Sequence, residues 1–154
     1  MLAEGDKVPD VELVGMDGER VSPADFGGNK LVLYFYPKDD TSGCTREAID
    51  FSALAPEFEK AGTWVLGVSK DDSKSHARFV EKHGLRVKLA TDADGAACEA
   101  FGTWVEKSMY GRRYMGIDRA TFLIDRDGVV KAVWRKVKVP GHAEEVLEAA
   151  RALP

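Results

Sequence analysis

Apolar positions along the chain recur in two periods, and their succession predicts an alternation of strands and helices. Lys30-Leu-Val-Leu-Tyr-Phe-Tyr36 is a nearly unbroken apolar run of β-forming residues ending at Pro37, the pattern of a central strand buried on both faces. Before it, Val11–Val14 and Glu19–Val21 flank Met16-Asp-Gly18, which predicts a short β-hairpin turning on Asp-Gly. After a polar loop, Thr45 to Lys60 carries Ala48, Phe51, Leu54, Ala55 and Phe58 at helical spacing, with Pro56 dividing the helix and Gly62 stopping it. Thr63–Ser69 then reads as a strand and Ser73–His83 as a helix stopped at Gly84. Lys88–Ala90 is a short strand, and Asp94–Phe101 a short helix whose core face extends to Trp104. Ala120–Ile124 and Val129–Trp134 are strands turning on Asp125-Arg-Asp-Gly128, and His142–Ala152 is a closing helix. The order predicts an α/β fold with a mixed central sheet, helices on both faces and an N-terminal β-hairpin.

The length of 154 residues suits one domain, 1–154, and no repeat or Pro/Ser-rich linker divides it. With 44% apolar and 31% charged residues the chain can bury a core, which excludes a disordered or disulfide-scaffolded protein. A net charge of −4 argues against a nucleic-acid partner. No apolar run approaches the roughly 20 residues needed to span a membrane. The first residues lack the basic start and apolar stretch of a secretion signal, so the expected location is cytoplasmic. In that compartment two cysteines point to chemistry or to packing before they point to a bridge.

The segment that carries chemistry is Tyr36-Pro-Lys-Asp-Asp-Thr-Ser-Gly-Cys-Thr-Arg-Glu47, at the carboxyl end of the buried strand, where open α/β sheets place their sites. Cys44 falls in the first helical turn, where unpaired N–H groups and the positive end of the dipole favour an anion. Its thiol is therefore expected to ionise more readily than the reference of about 8.5 and to be reachable as a nucleophile. Thr41 offers a hydroxyl to the sulfur or to a substrate oxygen, and Gly43 allows close backbone approach. The plainer alternative is a buried cysteine acting as a small hydrophobe. Against it stand the polar neighbours Asp39, Asp40, Thr41, Ser42 and Thr45.

Pro37-Lys-Asp-Asp-Thr41-Ser-Gly-Cys44-Thr45 resembles the Pro-x-x-x-Thr/Ser-x-x-Cys signature of the peroxiredoxins. The longer Tyr-Pro-Lys-Asp-Asp-Thr-x-Gly-Cys-Thr form is similar to the bacterioferritin comigratory protein, or peroxiredoxin Q, subfamily. Gly67-Val-Ser69, Ser75–Phe79, Trp104–Ser108, Gly116–Asp125 and Gly141-His142 extend the likeness over almost the whole chain. The resemblance implies a thioredoxin-like fold and a thiol-dependent peroxidase needing no cofactor or metal. Its substrates would be hydrogen peroxide and small organic hydroperoxides. It implies that Cys44 is the peroxidatic cysteine, that the Pro37 ring shields the sulfur, and that Thr41 and Arg119 hold the thiolate and peroxide oxygens. Without the resemblance, Arg119 reads as a surface charge at a strand edge. Glu47, one turn after Cys44, either orients Arg119 or is an acid favoured by the helix dipole.

The chain departs from the subfamily at Ile49, where many members carry a resolving cysteine five residues after the first, and Ser73–His83 holds none either. Cys98 is left, either as a packed small residue or as a resolver. The expected mechanism is therefore one-cysteine, with the sulfenic acid reduced by an external thiol such as thioredoxin, glutaredoxin or glutathione, in a monomer or weak homodimer. A disulfide oxidoreductase would want Cys-x-x-Cys, and Glu47 stands three after Cys44. A non-catalytic redox-regulated binding module is the rival of another class. His76, His83 and His142 read as solvated, without metal-ligand spacing, and Arg135–Lys138 as a solvated strand end.

Overall fold

The computed structural model describes residues 1–154. An antiparallel pair, β1 (Leu13–Gly15) and β2 (Arg20–Val21), opens the fold, turning through Asp17-Gly18 as expected. After a 3-10 turn (Pro23–Phe26), β3 (Lys30–Phe35) runs through the centre with all six residues buried. The predicted long helix is broken in two, α1 (Ser42–Ala53) and α2 (Ala55–Lys60), with Pro56 in the first turn of the second piece, where its missing N–H costs nothing. The alternation continues through β4 (Thr63–Ser69), α3 (Ser73–His83), β5 (Lys88–Thr91) and α4 (Ala96–Phe101). Next come β6 (Trp104–Met109), β7 (Arg112–Ile117), β8 (Ala120–Ile124), β9 (Val130–Trp134) and α5 (His142–Ala152).

Seven strands form one mixed sheet in the order β2-β1-β5-β4-β3-β8-β9, with β3, β4 and β5 parallel and β8 antiparallel to β3. Alternation along β3 splits the interior into two cores. Leu31, Leu33 and Phe35 join Ala97, Cys98, Phe101 and Phe122 on one face. Val32 and Tyr34 join Cys44, Ala48, Phe51, Phe58, Phe79 and Leu147 on the other. The two cysteines thus lie on opposite sides of the sheet. At the start of β3, the buried Lys30 donates from Nζ to the carbonyls of Ala150 (2.6 Å) and Leu153 (3.0 Å), closing the end of α5.

Three sequence expectations are corrected. Trp104 opens a strand rather than extending the face of α4, and β6 and β7 form a separate hairpin absent from the sequence reading. Trp104 and Ile117 at the base of the hairpin pack on the core, but its outer part, with Met109, Tyr110, Tyr114 and Met115, is exposed, so no apolar alternation runs along it. His76 and His142 are buried, not solvated: packing on the interior side of α3 and at the first turn of α5 covers both rings. Arg135 is not a free strand end. Its guanidinium donates to the carbonyls of Leu2, Phe101 and Gly102 at 3.0 to 3.2 Å, satisfying the last turn of α4.

Candidate active site

The sheet delivers the end of β3 into the loop Tyr36–Thr41, and α1 begins at Ser42. Thr41 is the N-cap, and the first helical bond runs from the Thr45 amide to the Thr41 carbonyl at 2.8 Å. The N–H groups of Ser42, Gly43 and Cys44 precede that bond, so they lie at the positive end of a helix twelve residues long. Helical spacing turns Cys44 toward the same interior face as Ala48 and Phe51.

Here the expectation of a reachable thiol is corrected: Cys44 is only 2% exposed. Its polar neighbours lie in the loop and on the outer side of the helix, while the side chain itself points toward the sheet. Arg119, in the short link between β7 and β8, closes over it with Nη2 donating to Sγ at 3.4 Å. The other arm of the same fork, Nη1, donates to Glu47 Oε1 at 2.7 Å. The backbone holds this link firmly, since the Asp118 amide donates to the Thr103 carbonyl (2.7 Å) and the Val137 amide to the Arg119 carbonyl (3.0 Å). Burial disfavours the charge on Arg119, but Glu47 and Cys44 more than offset it, so its pKa is raised.

Glu47 is 1% exposed, and Oε2 has no hydrogen-bond partner. Burial pushes this carboxyl up to about 7 against the pull of Arg119. Of the two readings of Glu47 in the sequence, the geometry favours the one that orients Arg119. Gly43 has the close approach expected of it, and the group that approaches is Arg119: a Cβ there would lie 3.1 Å from Nη2. Thr41 differs from expectation. Its hydroxyl donates to the Lys38 carbonyl at 2.8 Å, bracing the loop rather than the sulfur. Pro37 follows the last bond of the β3 ladder, from the Tyr36 amide to the Val68 carbonyl, and is exposed.

Cys98 has no exposure. Its amide and that of Ala97 donate to the Asp92 carboxylate, and burial together with Asp92 pushes its thiol up to about 12. Both cysteines are free. The structure therefore gathers Cys44, Arg119, Glu47 and Gly43, sets Thr41 and Pro37 at the rim, and leaves Cys98 across the sheet. Asp39 and His76, which the sequence marks only as a polar neighbour of Cys44 and a solvated histidine, meet beneath the loop at 2.8 Å. Their signal was the helical spacing of His76 and Phe79 on the apolar side of α3.

Residues 4–133 match the AhpC/TSA family. The chain belongs to that family, the peroxiredoxins. It is a thiol-dependent peroxidase on a thioredoxin-like fold. Among curated peroxiredoxins, Bcp of Xanthomonas campestris is 54% identical over 125 residues, covering 81% of this chain and 78% of that protein. A putative Bcp of Coxiella burnetii is 49% identical over 143 residues, covering 93% and 95%. A cysteine-to-serine mutant of Xylella fastidiosa PrxQ superposes with a TM-score of 0.93 at 41% identity, covering 99% of this chain and 97% of that one. The X. campestris bacterioferritin comigratory protein, described for its alkyl peroxide reduction activity, gives 0.87 at 48% identity, covering 92% and 90%. No helix is long and apolar enough to cross a membrane.

Proposed function

We propose that Cys44 is the nucleophile of this peroxidase and that it works by a one-cysteine cycle. The observation that carries the reading is the Arg119 fork, with one arm on Sγ at 3.4 Å and the other on Glu47 at 2.7 Å. A fixed cation against the sulfur can hold a thiolate before attack and the peroxide oxygens during it. The thiolate attacks the nearer oxygen of a hydroperoxide, forming an S–O bond as the O–O bond breaks. The leaving alkoxide or hydroxide takes up a proton and departs as alcohol or water. Cys44 is left as a sulfenic acid.

An external thiol then condenses with the sulfenic acid, releasing water and forming a mixed disulfide. A second thiol displaces Cys44 from that disulfide, and the two reductant thiols end as one disulfide. The position of Cys98, in the opposite core and with its thiol pushed up to about 12, argues against an internal resolver. Because Cys44 is 2% exposed, its exchange with a bulky thiol requires the first turn of α1 or the loop before it to open.

Hydrogen peroxide and small organic hydroperoxides fit a site this closed. Thioredoxin, glutaredoxin or glutathione would serve as reductant. The reading includes a single domain spanning 1–154, a cytoplasmic setting that keeps both thiols reduced, and a monomer or weak homodimer. Peroxide loss in the presence of a thiol, compared between wild type and Cys44→Ser, tests it. Loss that depends on Cys44 is expected, and equal loss in the variant would overturn the proposal.

A further inference from the structure

Beneath the reactive loop lies a buried polar cluster that the cycle above does not use. Asp39, between Pro37 and Thr41, has a side chain only 3% exposed and presents its carboxylate to three groups. Tyr36 donates its hydroxyl to Oδ1 at 2.5 Å, Ser75 donates to Oδ2 at 2.8 Å, and His76 Nδ1 stands 2.8 Å from Oδ2. The far nitrogen of His76, Nε2, stands 3.1 Å from the Ala90 carbonyl. Both ring nitrogens of His76 thus face an oxygen, the Asp39 carboxylate on one side and the Ala90 carbonyl on the other. The Asp39 amide donates to the Asp71 carboxylate at 2.9 Å, which also accepts from the Ser69 hydroxyl at 2.6 Å.

Burial works against the Asp39 charge, yet the bonds from His76, Tyr36 and Ser75 outweigh it and hold the carboxyl below its usual range. Burial likewise pushes the Tyr36 phenol well up, which keeps it a donor. On the next residue, Asp40 adopts a left-handed backbone (φ 60°) while its carboxylate takes Lys82 at 2.7 Å and His83 at 2.8 Å at the outer end of α3. Two consecutive loop residues are therefore tied to one helix, one in the interior and one at the surface.

We propose that the Asp39–His76 pair is a positioning device that latches the loop Pro37–Thr41, and through it the first turn of α1, in the geometry that attacks peroxide. The inference rests on Cys44 being the nucleophile. Attack requires the closed site, in which Arg119 lies on the sulfur. Reduction by an external thiol requires the opened one, because the closed site hides the sulfur. A latch on the loop must therefore move the two half-reactions in opposite directions, which a residue that merely stabilises the fold does not do.

Asp39→Asn removes the charge and keeps the shape. Its side-chain amide can still bond His76 Nδ1 and the Ser75 hydroxyl, so the interior stays bonded. The rate of Cys44 oxidation by hydrogen peroxide and the rate of its reduction by dithiothreitol are measured separately, alongside the melting temperature. Asp39→Asn is expected to slow oxidation at least about tenfold, since small misplacements of a reacting group cost on that order or more. Reduction is expected to be unchanged or faster.

Tyr36→Phe and Ser75→Ala should shift the same ratio in the same direction by less. They decide the matter if Asp39→Asn does not fold. Lys30→Met removes the two hydrogen bonds that close the end of α5, at the start of β3 and away from the loop. It should lower the melting temperature and leave the ratio alone. Wild-type oxidation in Asp39→Asn, or two rates that fall together with melting temperature, would overturn the latch while leaving the function of Cys44 standing. A wild-type enzyme whose peroxide consumption does not depend on Cys44 would bring down both.

Discussion

Replacing Arg119 with methionine keeps an unbranched side chain of similar reach and removes the guanidinium that bridges Cys44 Sγ and Glu47 Oε1. Two effects of different size follow. Removing a donor aimed at charge that develops in the transition state costs about 10²–10³ in rate, or roughly 2.7–4 kcal/mol. The effect on stability is smaller, because Glu47 can replace its lost partner with a proton. Its carboxyl is raised from 4.5 to about 7 in the fold, so between those pH values the native state keeps a proton that the unfolded chain releases. Stability from this group is greatest below 4.5 and declines as pH rises to 7, by about 3 kcal/mol at roughly 1.36 kcal/mol per unit. Most of that decline is already present in the wild type at pH 7. Removing Arg119 sends the carboxyl higher still, which adds under about 0.5 kcal/mol at pH 7. The lost hydrogen bond adds about 1–2 kcal/mol. Stopped-flow oxidation under excess hydrogen peroxide gives the rate, and urea titration at pH 7 gives the stability. An attack rate within threefold of wild type, or a rate loss matched by collapse of the fold, would refute the reasoning.

Gly43→Ala should also separate activity from stability: the new Cβ meets Arg119 Nη2 at 3.1 Å and slows attack about tenfold, while at the second position of α1 alanine changes stability by under about 1 kcal/mol. Steady-state rates and thermal melts of the same preparation check it, and unchanged turnover would contradict it. Cys98→Ala should leave turnover with a small thiol intact and cost about 1 kcal/mol for the small cavity, or about 2–4 °C in Tm. Lost recycling would instead make Cys98 a resolver. His142 is depressed by burial from 6.5 to about 4, so the unfolded chain binds a proton that the native one refuses. About 3 kcal/mol of stability is therefore lost as pH falls from 6.5 to 4. Glu47 slopes the other way between 4.5 and 7, so the two largely cancel in wild type. His142→Gln should expose the Glu47 slope as a stability that falls with rising pH, whereas a urea-melt profile parallel to wild type would contradict the assignment.

The elements that bury a regular stripe were legible in the sequence. The apolar run at Lys30, the Pro56 break and the turn at Asp125–Gly128 each stand where their residue types place them. The β6–β7 hairpin was not, because only Trp104 and Ile117 at its base pack on the core while its outer part is exposed, and its turn is Tyr110-Gly111 with φ of 52° and 78° rather than the familiar Asn-Gly. At the site, Cys44 and Gly43 could be chosen from the residues themselves, Glu47 stood between two readings, and Arg119, 75 residues from the sulfur, followed only from the family resemblance. What the chain could not reveal was depth. Polar residues beside Cys44 suggested exposure, but a helix has two sides, and the loop residue Asp39 is itself buried against His76. Histidine on a helix reads as surface until a carboxylate from a distant loop supplies its partner. The turn of the Thr41 hydroxyl to the Lys38 carbonyl is a choice among several acceptors that spacing does not make.

Mass measurement of the reduced protein after one equivalent of hydrogen peroxide, with peptide mapping, tests the central claim most directly. One added oxygen is expected on the peptide that contains Cys44, removed on adding a small thiol. Oxygen placed elsewhere with Cys44 untouched, or a disulfide joining Cys44 to Cys98, would contradict it.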